Sequence, residues 1–175
     1  MSDLSVCNGT KLGLKGVYTL IIRFAQPCKT SIRNHGSVVI GRGLYVYTGS
    51  ALGAGSSSLE ARIGRHLRRR KKKFWHIDRI LACKSARVVS VVFAETICKM
   101  ECEVNASLLR DSHMSVLFAR VGSSDCRCSS HFLLAKQSLL SVRRRVRAHY
   151  REQGLAPQVV GKRGTVFMAN SRQLS

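Results

Sequence analysis

Chemical capacity in this chain is concentrated in a few acids, histidines and cysteines set among many cations. Thirty Lys and Arg accompany nine acids: Asp3, Glu60, Asp78, Glu95, Glu101, Glu103, Asp111, Asp125 and Glu152. Hard divalent cations take oxygen ligands, so a Mg²⁺-type site must draw on that short list. Glu60 stands three residues after Ser57, the spacing of a capping box, and is expected to be used there. Asp3 and Glu152 lie near the expected ends of the ordered region. Arg62 and His66 are four residues apart in a stretch of helical periodicity, so they share a face one turn from each other. Cys126, Cys128 and His131 have a spacing that can bind zinc, with Cys102 able to complete four ligands. CxCxxH is not one of the paired-knuckle patterns, however, and zinc is not expected. The favoured reading there is a tight loop in which Ser124 and Asp125 satisfy backbone groups. Many cations suit a polyanionic partner such as nucleic acid, and the cleavage chemistry open to such a partner is hydrolysis of a phosphodiester. It needs a nucleophile made from water, stabilisation of the charged transition state and usually a divalent ion.

The elements that would hold these residues follow from periodicity. Residues 16–24 (GVYTLIIRF) are β-branched, aromatic and apolar throughout, as in a buried strand. Residues 26–36 carry Pro, Asn and Gly and read as a loop, with a short strand possible at 38–40. A second strand is expected at 44–48 (LYVYT), running into the Gly- and Ser-rich turn at 49–58. The helix that follows carries the apolar stripe Leu59, Ile63 and Leu67, and it ends in the basic run RRRKKK at 68–73. Trp75 reads as core or a packing lid, and His76 and Asp78 as a polar pair, structural or at a site rim. A third strand is expected at 87–95 and a second helix at 100–109, with the stripe Met100, Val104 and Leu108. On that helix Glu101 lies beside the stripe and Glu103 further from it, so Glu101 is the better aimed toward the sheet. A polar loop at 122–131, a basic amphipathic helix within 133–153 and a weakly structured tail complete the chain. The order strand, strand, helix, strand, helix predicts an α/β (α+β) fold, a small three-stranded sheet flanked by helices. One domain over 16–133 is expected, after an N-terminal tail at 1–15 and before a basic helix and tail at 134–175.

A formal net charge of +21 on 175 residues needs an anionic partner. Nucleic acid is favoured over a membrane surface, because no stretch is apolar for the roughly 18 residues that a span requires. The N-terminus lacks the apolar segment of a secretory signal, so an intracellular location, cytoplasm or nucleus, is expected. Seven cysteines without an export signal argue against a disulfide framework, and most are read as reduced. Arg65, Arg68, Arg69, Arg70, Lys71, Lys72 and Lys73 are the expected phosphate contacts.

The blocks GVYTL, YVYTGSALGAG, RIGRH, WHID, ECE and SSDCRCSSH, in that order over residues 16–132, resemble the DUF123 branch of the GIY-YIG nucleases. The resemblance implies metal-dependent endonucleolytic hydrolysis, with DNA favoured over RNA, and a role in DNA repair or the processing of structured DNA. It implies that Tyr18 and Tyr47 meet in one site, where either orients or deprotonates the attacking water. By the same resemblance Arg62 clamps the phosphate, His66 is a polar helper and Glu101 holds one Mg²⁺ or Mn²⁺. His76, Asp78, Glu103 and Asp125 are secondary candidates. Two features depart from the wider class: the stretch between the tyrosines is longer, and Thr48 and Ser50 stand where Ile or Val and, in some relatives, a catalytic Lys are found. A non-cutting nucleic-acid-binding module with the same fold is the alternative, and monomer and homodimer both remain open.

Overall fold

The run expected as the opening strand forms β1 (Gly16–Phe24), buried at every residue except Arg23. A strand apolar on both faces requires cover on both sides. β1 lies between β4 (Gly43–Ala51) and β5 (Ala86–Glu95), antiparallel to each. The computed structural model describes residues 13–32, 35–69, 72–73, 75–161 and 166–167. Within these, β7 (Phe132–Ala135) and β6 (Met114–Val116) continue the sheet beyond β4, and β8 (Gln158–Gly161) and β9 (Val166–Phe167) continue it beyond β5. The expected three strands are therefore the middle of a seven-stranded antiparallel sheet. Residues 26–36, expected as a loop, instead enter a separate hairpin of β2 (Cys28–Ile32) and β3 (Gly36–Ile40).

Alternation along the strands sends two sets of side chains to two cores. Tyr18, Leu20, Ile22, Phe24, Tyr45 and Tyr47 face α1 (Leu59–Leu67) and α2 (His76–Leu81), which contribute Leu59, Ile63, Ile77 and Ile80. Val17, Ile21, Leu44 and Val46 face α3 (Glu101–Leu109) and α4 (Leu139–Glu152), which contribute Val104, Leu108, Val142, Val146 and Tyr150. The result is a mixed α/β domain with helices on both faces of the sheet. The basic helix expected in an extension beyond residue 133 is α4, and it packs directly on this sheet. The buried Tyr150 hydroxyl lies 3.0 Å from Thr19 Oγ1, which is itself 3.0 Å from Thr48 Oγ1. Thr48 thus points away from Tyr47 and serves to dock α4.

Three local expectations are corrected. Ser58, not Ser57, caps α1, its Oγ accepting from Ala61 N, while the Glu60 carboxylate accepts from Leu14 N at 3.0 Å. The buried face of α1 is Leu59, Ile63 and His66, and Leu67 is exposed. Against the expectation that no disulfide framework exists and most cysteines are reduced, Cys28 and Cys83 form a disulfide that ties β2 to the segment after α2. The hairpin folds back over α2 and brings the two Cα atoms to 6.1 Å, within bridging reach. Among the described residues no helix is long and apolar enough to cross a membrane.

Candidate functional site

The register of β1 against β4 sets Tyr18 opposite Gly49 and Leu20 opposite Tyr47. Tyr47 is therefore the diagonal neighbour of Tyr18 on the same face, within reach for rings of this size. A Cβ at Gly49 would lie 2.8 Å from the Tyr18 hydroxyl, so only glycine lets the phenol lie across the neighbouring strand. Gly16 is constrained similarly, since a Cβ there would collide with the backbone carbonyl of Ala94 on β5. The glycines of GVY and YTG are thus packing requirements of the strand trio that presents the two tyrosines.

α1 supplies the next wall. Arg62 and His66 project from it into a cavity of about 580 Å³ that Tyr18 and Tyr47 also line. The Tyr18 hydroxyl is 2.9 Å from His66 Nε2, and the other ring nitrogen of His66 faces Asp78 Oδ1 at 3.9 Å. Asp78 is buried at the first turn of α2 and accepts from the Trp75 backbone N–H and from Arg65 Nη2, at 3.0 and 2.7 Å. Tyr18, His66, Asp78 and Arg65 therefore form a polar chain leading inward from the cavity. Arg62 stands over the Trp75 ring, 4.6 Å from its centroid, which gives the guanidinium a flat support.

The opposite wall comes from α3 and the loop before β7. Glu101, at the N-terminus of α3, is nearly buried yet lines the cavity, as do Lys99, Asp125 and His131. Lys99 Nζ lies 3.7 Å from Glu101 Oε1 and 3.4 Å from Asp125 Oδ2. A cation is already accommodated between these two carboxylates, on a flexible side chain that is half exposed. Glu101 and Asp125 are thus the cavity carboxylates that could hold a hard divalent ion, and Lys99 would have to swing away to admit one.

Burial pushes the Tyr18 phenol well above its ordinary pKa, Tyr47 adds to this, and the Arg62 guanidinium opposes it. Tyr47 is raised by burial and then by Glu101, again against Arg62. Both phenols are protonated throughout the neutral range. Glu101 and Asp125 raise Lys99, and burial lowers His131.

The structure brings together Tyr18, Tyr47, Arg62, His66 and Glu101, and adds His76 and Asp125 from the secondary candidates. Asp78 sits behind His66 rather than on the cavity wall. Glu103 is exposed and does not line the cavity, so Glu101 is the α3 glutamate on its wall. Arg65, expected to face phosphate, spends its guanidinium on Asp78 and the Lys72 carbonyl. Arg68, Arg69, Lys72 and Lys73 are exposed, while Arg70 and Lys71 lie outside the described residues. Lys99 and His131 are cavity residues that sequence reasoning missed. Neither has a local signal, since each reaches the cavity only because α3 and the loop before β7 meet there.

A family model described as "Domain of unknown function DUF123" matches residues 17–154. No curated protein and no solved structure matches the chain.

Proposed function

We propose, from the premise that this chain belongs to the DUF123 family, that it is a GIY-YIG-type endonuclease hydrolysing phosphodiester bonds, with DNA as the favoured substrate. One observation carries the reading: two buried tyrosines, a supported arginine, a histidine and a buried glutamate, drawn from β1, β4, α1 and α3, line one cavity.

The roles follow from the geometry. Arg62 offers a planar fork of donors to the phosphate oxygens, and its stacking on Trp75 limits the freedom lost when it does so. Tyr18 is too strongly held in its neutral form to act as a standing base. It acts instead as a relay, its oxygen taking a proton from the attacking water while its own proton passes to His66 Nε2, 2.9 Å away. Asp78, on the far side of the imidazole, orients the ring and favours the charge it gains. Tyr47 positions the water from the adjacent strand. Glu101 and Asp125 would hold Mg²⁺ or Mn²⁺, which when bound would supply stabilisation of negative charge on the leaving oxygen. Arg68, Arg69, Lys72 and Lys73, exposed beyond the end of α1, grip flanking phosphates without reading sequence.

The test is strand scission of plasmid and branched DNA by purified protein with Mg²⁺ or Mn²⁺. Arg62→Ala and Glu101→Ala are each expected to slow cleavage by about 100-fold or more, with DNA binding largely retained. Cutting by both variants at the parental rate removes the assigned site. The position of Lys99 between Glu101 and Asp125 favours a second reading, a nucleic-acid-binding module in which the lysine has taken the place of the metal. Tight, salt-sensitive DNA binding with no metal-dependent scission at high protein concentration would select it.

A further inference from the structure

We propose that Cys102, Cys126, Cys128 and His131 form a structural zinc site that pins the loop at 122–131 to the start of α3. The sequence spacing alone was not persuasive, because CxCxxH supplies three ligands from one short loop. Folding brings the missing thiol, Cys102, from α3, so that all four ligand atoms lie within 4.8 Å of one another. A tetrahedral zinc with Zn–S of about 2.3 Å and Zn–N of about 2.0–2.1 Å sets its ligand atoms roughly 3.6–3.8 Å apart. Cys126 Sγ and His131 Nε2 already stand at 3.5 Å. Closing the rest of the shell requires movements of about 1 Å at most, within the reach of side-chain rotation.

The surroundings are those of a built site. His131 is almost fully buried, its backbone carbonyl accepts from Thr48 N at 3.1 Å, and its Nε2 is turned toward Cys126 Sγ. One turn along α3 from Cys102, Asn105 donates to the Ser130 carbonyl at 2.8 Å, bracing the loop beside its ligands. Three sulfurs and one imidazole without a carboxylate select zinc over the hard cation suited to Glu101 and Asp125. The loop also needs a tether. Ser124, Asp125, Arg127 and Ser129 are exposed, so it has little apolar surface with which to hold itself against α3. Because Glu101 precedes Cys102 and Asp125 precedes Cys126, the ion would set the position of both cavity carboxylates. The inference stands apart from the nuclease reading, since a non-cutting module would need the same tether.

Elemental analysis of the untagged chain, purified under reducing conditions without added metal, is expected to find about one zinc per chain. Cys98→Ser, which alters an exposed thiol outside the cluster, should leave that content unchanged, whereas Cys102→Ser and Cys128→Ser should lose most of it. If those variants do not fold, the parent chain decides the matter by itself. After metal removal, Co²⁺ should produce the intense visible bands of a tetrahedral site and a sulfur-to-metal charge-transfer band, both abolished by one equivalent of zinc. A parent chain that contains no zinc and gives no thiolate charge-transfer band with Co²⁺ overturns the proposal. So does a disulfide between any two of the three cysteines in protein isolated with its thiols trapped.

Discussion

Gly49 is the residue on which the catalytic reading is most finely balanced. It is chosen for the absence of a side chain, because the Tyr18 ring occupies the volume that any Cβ would need. Gly49→Ala must therefore displace either the β4 backbone or the phenol, which is held by its hydrogen bond to His66 and by packing. Overpacking of this kind costs about 1–3 kcal/mol. The variant is expected to melt several degrees below the parent, and its cleavage rate is expected to fall more than about tenfold as the Tyr18–His66 contact opens. An unchanged melting temperature would show that the two strands have more room than the register allows. Thr48, beside it, is explained by the opposite face: its hydroxyl belongs to the Thr19–Tyr150 network under α4.

At the level of elements, Asp111 holds the joint between the end of α3 and α4. Its carboxylate accepts from the His113 backbone N–H at 2.9 Å, from Arg145 Nη1 at 3.0 Å and from His149 Nε2 at 3.2 Å. Burial by itself would raise this carboxyl, but the His113, His149 and Arg145 hydrogen bonds outweigh it and hold the pKa far below the usual carboxylate range. A folded pKa depressed below the unfolded value of about 3.9 gives stability that is fully present above that value. It is lost as the pH falls through the unfolded value toward the folded one. Asp111→Asn is expected to cost about 1–3 kcal/mol at neutral pH and to flatten the acid limb of the stability curve below about pH 5. Denaturant unfolding of parent and variant across that range checks it, and parallel acid limbs would deny Asp111 the role. α4 is also less free to bind phosphate than its five arginines suggest. Arg145 is committed to Asp111, and of the five only Arg144 and Arg151 are exposed rather than half-buried.

For the whole molecule, the net charge of +21 dominates how it meets a partner. With Arg65 committed to Asp78, the exposed cations described in the basic run after α1 are Arg68, Arg69, Lys72 and Lys73. Each phosphate neutralised releases counterions, so the affinity for duplex DNA should fall linearly on a log–log plot against salt. Replacing those four residues by Ala should lower the slope by about 3–4, with weakening that is uniform across sequences. Fluorescence anisotropy over a salt series measures this directly. A slope that stays at the parental value would move the grip to another face.

What could be read without coordinates was whatever the chain encodes locally. The three central strands declared themselves because each is nine or ten residues long and buried on both sides, which leaves an unbroken apolar run. The helical spacing of Arg62 and His66, and the turn of Glu101 toward the sheet, were legible for the same reason. Strands β6 to β9, two to four residues each, are too short to carry a period and exist only because a longer neighbour offers its edge. Glu60 left its expected cap because Leu14 N lay within reach, a partner 46 residues away. The insertion of Lys99 between two acids, the Cys28–Cys83 bridge and the arrival of Cys102 beside Cys126, Cys128 and His131 are likewise encounters between remote segments. Local spacing constrains neighbours along the chain, whereas such meetings are decided by how the nine strands and four α-helices of the described residues close around two cores.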